Sequence, residues 1–108
     1  MKPLSDTKRS DFVPRLKQQL SRWAERDLAG IFDYTLERWG ENQLRTYRDQ
    51  LAAAFDEIAD EPLSTCSQPR EELFHGCRSL HVGRHFILYR VTDTTVQIAR
   101  VLHDVSSK

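Results

Sequence analysis

Between Arg78 and Asp104 short apolar runs alternate with two turn signals, Val82-Gly83-Arg84 and Asp93-Thr94. That pattern restricts the segment to a three-stranded antiparallel meander. The central run, Phe86-Ile87-Leu88-Tyr89, is apolar at every position, as a strand covered on both faces must be. The next run sets Val96 and Ile98 against Gln97 and closes on Val101 and Leu102, the alternation of a strand with one wet face. The expected strands occupy roughly residues 77 to 82, 85 to 91 and 95 to 102.

Upstream the period changes from two to between three and four. Ala24, Leu28, Ile31, Thr35 and Trp39 form one helical stripe, and Leu44, Tyr47, Leu51, Ala54, Phe55 and Ile58 form another. Ser21 is the expected N-cap of the first helix, and Glu25 and Asp27 place negative charge in its early turns, where the helix dipole favours it. Gly40 is the natural residue to leave that helix, Asn42 is suited to cap the next, and Pro62 ends it. With two or three residues between them, the helices must form an antiparallel hairpin. Residues 60 to 72 contain two prolines and read as the connection back to the sheet.

At 108 residues the chain is of single-domain size. A chain this short buries only about two-thirds of its unfolded surface and is stable by roughly 5 to 10 kcal/mol, so a partner covering an apolar face would matter. No apolar run approaches the roughly 20 residues that span a bilayer, and Met1 to Asp6 lacks the apolar core of a signal peptide, which makes the cytoplasm the default location. Residues 1 to 11 are polar and aperiodic, the composition of a mobile arm, leaving 12 to 108 as one domain.

Formal charge is zero but segregated: net +3 over residues 1 to 20, −5 over 21 to 61 and +2 over 62 to 108. A pI near 6.9 and an acidic helical region argue against a surface that grips nucleic acid through its phosphates. Cys66 and Cys77 do not form a CxxC pair and are expected to be reduced, structural thiols; with His75 they make only an irregularly spaced trio for a metal.

Three segments together resemble the ParE/RelE superfamily of toxin–antitoxin toxins, the ParE branch most closely. They are the helix Trp23 to Tyr34, with Ala24, Asp27, Leu28, Ile31 and Tyr34 in the family's pattern; the Trp39-Gly40 junction; and Arg78-Ser79, Val82-Gly83-Arg84-His85, Tyr89-Arg90-Val91 and Arg100-Val101-Leu102-His103. The resemblance spans about residues 20 to 104. It implies an α+β fold of order β-α-α-β-β-β, with the helical hairpin on a small, mainly antiparallel sheet. Its first strand would fall over Arg15 to Leu20, where Pro14 can sit only at an edge or strand start.

RelE-like members are ribosome-dependent mRNA endonucleases, whereas ParE-like members trap the cleaved-DNA complex of DNA gyrase. Phosphodiester scission requires proton-transfer groups and cations to hold the phosphorane. Matched by position, the superfamily's third-strand Arg falls at about Phe86 and its terminal Arg and Tyr at about Asp104 and Lys108, while Arg78 alone keeps the expected type. His103 carries a side chain of the type used for acid–base work. ParE-like members resemble this chain in ending their last strand with Leu-His.

The resemblance therefore implies a gyrase-inhibiting toxin, neutralised by a ParD-like antitoxin lying in the groove between hairpin and sheet, with no catalytic residue, cofactor or metal. An apolar third strand and an exposed sheet edge that a helix or strand would cover give a physical motive. Candidate binding residues are Trp23, Arg78, Arg84, His85, Phe86, Leu88, Arg90, Arg100 and His103. Trp23 is the best exposed anchor, Trp39, Tyr47 and Phe55 belong to the core or rim of the hairpin, and His81 and His85 are surface histidines flanking Gly83. Arg78, Arg84, Arg90 and Arg100 are candidates to line one side of the sheet. Two other readings are a ribosome-dependent endoribonuclease using Arg78 and His103, and a non-toxic relic that only binds an antitoxin.

Overall fold

The computed structural model describes residues 16–103. The proposed arm at 1 to 11, Pro14, Asp104 and Lys108 lie outside the described residues. Strand β1 (Lys17–Leu20) leads into helix α1 (Arg22–Trp39) and helix α2 (Glu41–Asp60); strands β2 (Gln68–Pro69), β3 (Arg78–Val82), β4 (His85–Val91) and β5 (Thr95–His103) follow. The sheet order is β1-β5-β4-β3-β2, with β1 parallel to β5 and every other pair antiparallel. The apolar run 86 to 89 thus lies in the central strand, as its composition requires.

Ser21 caps α1 as the sequence suggests, its hydroxyl oxygen accepting from the Ala24 N–H at 3.0 Å. The same hydroxyl donates to the Ala99 carbonyl at 2.7 Å, so one side chain closes the helix start and fixes it to β5. The link between helices is shorter than the expected two or three residues. Gly40 alone joins them, with φ +93°, a conformation open to glycine because no Cβ clashes. Asn42 consequently lies inside the first turn of α2, whose N-cap is Gly40 with no side-chain bond.

Both helices lay their stripes on one sheet face. The in-register row Leu80, Ile87, Val101 is buried, as are Tyr89 and Ile98 one row on, and Ala24, Leu51, Ala54, Phe55 and Ile58 pack against them. Leu28, Ile31 and Phe32 complete the contact only partly buried. Truncating Leu51, which is 1% exposed, to Ala would cost about 2–5 kcal/mol. Trp39 departs from the stripe: at the last helical position before Gly40 it has run past the sheet and is 59% exposed. The connection at 60 to 72 is also less featureless than expected, since Gln68 and Pro69 pair with Ser79 and Arg78. A proline there is compatible with an edge strand because its missing N–H would face away from the sheet.

No helix among the described residues is long and apolar enough to cross a membrane.

Candidate functional site

Helix α2 reaches the β3–β4 turn through Tyr47. Its hydroxyl donates to the Val82 carbonyl at 3.1 Å and lies 2.5 Å from Nδ1 of His85. A phenol has one proton, so with that proton on Val82 the oxygen accepts from His85 Nδ1–H, leaving Nε2 as the imidazole's acceptor. Gly83 forms the turn at φ +58°, and a Cβ there would stand 2.7 Å from Cε1 of Tyr47. The turn therefore needs glycine twice over, for its left-handed backbone and for the approach of the phenol ring.

His85 is 8% exposed, opposite His103 in the β4–β5 register, with the rings edge to face at 5.2 Å. Burial lowers its pKa and the neighbouring His103 lowers it further, so His85 is held neutral. Burial raises the Tyr47 pKa, opposed by the Arg84 backbone N–H and its charge. His85 is thus a buried structural partner of Tyr47, not the surface histidine expected beside a turn. The difference arises because α2 projects an aromatic over the turn, a tertiary contact without a local signature.

These residues form one end of a groove of ≈ 850 Å³ between the hairpin and the sheet. Arg26, Gly30, Tyr34 and Trp39 contribute from α1, Gln43, Tyr47 and Gln50 from α2, and Arg84, His85 and His103 from the sheet end. On the α1 side the groove is bounded by an unusual strand edge. Strand β1 pairs with β5 only over residues 95 to 98. Beyond that point Asp27, on α1, accepts the Val101 N–H at 3.0 Å and binds the Arg100 guanidinium at 2.8 and 3.0 Å. The carboxylate does what another strand's carbonyl would do, and burial's upward push on its pKa is outweighed by Arg100 and the Val101 N–H. Ala99 has no partner in the β4 register, and this irregularity accompanies the handover from β1 to α1.

Of the nine candidate binding residues, the groove gathers Arg84, His85 and His103 and leaves the other six outside its lining. Trp23 is exposed as expected, at 55%, with the guanidinium carbons of Arg26 and Arg100 at 5.4 and 5.9 Å from its ring. Leu88 is buried, and Phe86 stacks on His81 at 4.6 Å. The four arginines do not form a row. Arg78 donates to Ser67 Oγ and to the carbonyls of Ser64 and Ser67, Arg90 binds Gln97, Arg100 binds Asp27, and Arg84 sits at the turn.

Nor are Arg78 and His103 brought together. Arg78 faces Tyr89 and His103 faces His85, four positions apart along β4, or roughly 13 Å at ~3.3 Å per residue. Cys66 is exposed, Cys77 is buried, and no three potential ligands are grouped to hold a metal among the described residues. Gly30 and Tyr34 were not expected in the groove, and Asp27 was expected only to favour the helix dipole and to match the family's helix pattern. A mid-helix glycine and a side chain one step off the apolar stripe were the available signals.

The sequence profile described as "ParE toxin of type II toxin-antitoxin system, parDE" matches residues 19–105. The chain belongs to the ParE toxin family. Among proteins similar to this ParE-family chain, Toxin ParE1 of Caulobacter vibrioides is 41% identical over 85 residues, covering 79% of this chain and 85% of that protein. Toxin ParE1 of Mycobacterium tuberculosis is 38% identical over 85 residues, covering 78% and 85%. In structure it resembles a chain of the chromosomal ParDE TA system from P. aeruginosa, with a TM-score of 0.71 and 19% identity over 82% of this chain and 96% of that one. The toxin–antitoxin complex RelBE2 from Mycobacterium tuberculosis gives 0.60 and 27%, over 82% and 98%. The α+β fold implied by the resemblance is therefore the fold of this ParE-family toxin.

Proposed function

We propose that this ParE-family toxin is neutralised in the cytoplasm by a ParD-like antitoxin seated in the groove between hairpin and sheet, and that the freed toxin traps the cleaved-DNA complex of DNA gyrase. The groove itself carries the reading: ≈ 850 Å³ of space walled by exposed Tyr34 and Trp39 on a molecule too small to leave such a surface idle. Solved relatives support an antitoxin partner, since they include the ParDE system from P. aeruginosa and the YoeB–YefM complex from Staphylococcus aureus. Trapping needs no chemistry from the toxin, only tighter binding to the cleaved-DNA form than to other forms.

The separation of Arg78 from His103 and the neutral, Tyr47-bound state of His85 weigh against ribonuclease chemistry. The test is affinity recovery of the tagged chain from its own host, with the recovered proteins identified by mass spectrometry. An antitoxin is expected in normal growth, and gyrase subunits once the antitoxin is depleted. Recovery of neither rejects the reading.

A further inference from the structure

His85 and His103 stand directly opposite one another where β4 begins and β5 ends. Paired residues of neighbouring strands project to one sheet face, and here it is the face of the next such pair, Ile87 and Val101, under the helices. Both imidazoles line the groove, with ring centres 5.2 Å apart and planes at 90°. Two imidazoles on one tetrahedral metal ion, each bound through a nitrogen about 2.0–2.1 Å away, have their centres about 5 Å apart. The strand register thus brings this pair to the separation that chelation needs.

His85 is also oriented from behind. The Tyr47 hydroxyl gives its own proton to the Val82 carbonyl and accepts the Nδ1–H of His85, while the phenol ring lies against Gly83. Support of this kind sets the tautomer and ring direction of a metal-binding histidine. The remaining nitrogen, Nε2, is an acceptor on a residue only 8% exposed, and it has no hydrogen-bond partner among the described residues. A ring nitrogen buried in this way calls for a ligand. Burial and His103 hold the His85 ring neutral, which is the form that ligates. Neither of the other two histidines shares this arrangement: His75 is almost fully exposed beside Glu71, and His81 stacks on Phe86.

We infer that His85, through Nε2, and His103 bind a divalent transition-metal ion of the zinc, nickel or copper class at the end of the groove. Water fills its other coordination positions, because no third ligand is grouped with the pair among the described residues. With two protein ligands, and with Arg84 lining the same groove, the site is weaker than a closed structural zinc site. The metal is chosen by imidazole, which suits zinc, copper and nickel and leaves magnesium and calcium to oxygen ligands. Once bound, the ion ties the start of β4 to the end of β5. The inference does not depend on what else occupies the groove.

The test titrates zinc, nickel and magnesium chlorides by calorimetry into the purified full chain carrying no histidine tag, and follows the ring nitrogens of all four histidines by NMR. One zinc or nickel ion per chain is expected, with no magnesium bound. Zinc should shift Nε2 of His85 and a ring nitrogen of His103 and leave His75 and His81 unmoved. His103→Ala, at an exposed position, is expected to weaken zinc binding at least tenfold, as is His85→Gln. Tyr47→Phe, which removes the support behind the ring, should weaken it about tenfold. His75→Ala and Cys66→Ser should leave it unchanged. Absence of a one-to-one zinc complex, equal affinity in His103→Ala, or shifts confined to His75 and His81 overturns the inference.

Discussion

The carboxylate of Asp27 accepts the backbone N–H of Val101, so a helix side chain completes the edge of a β-strand where the neighbouring strand has ended. Its side chain is only 16% exposed, and removing it strands both an amide and the Arg100 guanidinium. Asp27→Ala should destabilise the chain by about 1–3 kcal/mol in urea unfolding. Because its pKa is held below the ordinary carboxylate value, the contribution is complete above about pH 4 and disappears as pH falls through the depressed value. The pH dependence of the wild-type minus Asp27→Ala difference checks this.

Gly83 and Tyr47 define the other end of the groove. Gly83→Ala puts a Cβ in a left-handed backbone that costs about 1–2 kcal/mol and against the phenol ring, which must move. A total loss of roughly 2–3 kcal/mol is expected from the strain and the clash together. Tyr47→Phe should cost less, about 1–2 kcal/mol, because packing stays and only the bonds to Val82 and His85 go.

The buried imidazole of His85 makes stability sensitive to mild acid. Its folded pKa lies below the unfolded value of about 6.5, so protons bind the unfolded chain more readily. Stability is full above that value and declines as pH falls through the folded pKa, at no more than about 1.4 kcal/mol per pH unit for this one group. His103, Tyr47 and Arg84 are the titratable or charged neighbours, and His85→Gln should flatten the pH profile between about 6.5 and the depressed value.

His103 offers a check on mechanism. It is exposed at the end of β5 and distant from Arg78 along the sheet. His103→Ala is expected to retain growth arrest on induction, scored by colony counts. A fall of about a hundredfold or more in toxicity at unchanged protein level would be the size expected for a lost acid–base group.

Much of this architecture is written locally. The meander followed from Gly83 and the apolar run 86 to 89, and the hairpin from two stripes interrupted at Gly40, because each depends on neighbours within a few residues. The site was less legible because it is assembled from α1, α2 and two strand ends. Tyr47 reads as one more apolar member of its stripe, and only the fold sets its hydroxyl on His85. Asp27 reads as a dipole-favoured acid until α1 is laid against β5, and Trp39 reads as core until the helix is seen to outrun the sheet. Two-residue β2 has no periodicity to detect and exists because Arg78 ties the loop at 64 to 67 to the sheet.

We propose that this toxin acts by holding another macromolecule and not by cutting RNA, and one assay separates the two. Purified chain, freed of antitoxin, should be added to gyrase and supercoiled plasmid, with the products resolved after detergent and protease treatment. Dose-dependent linear DNA that antitoxin suppresses is expected. No accumulation of cleaved DNA, together with codon-positioned cuts in mRNA on stalled ribosomes, would contradict it.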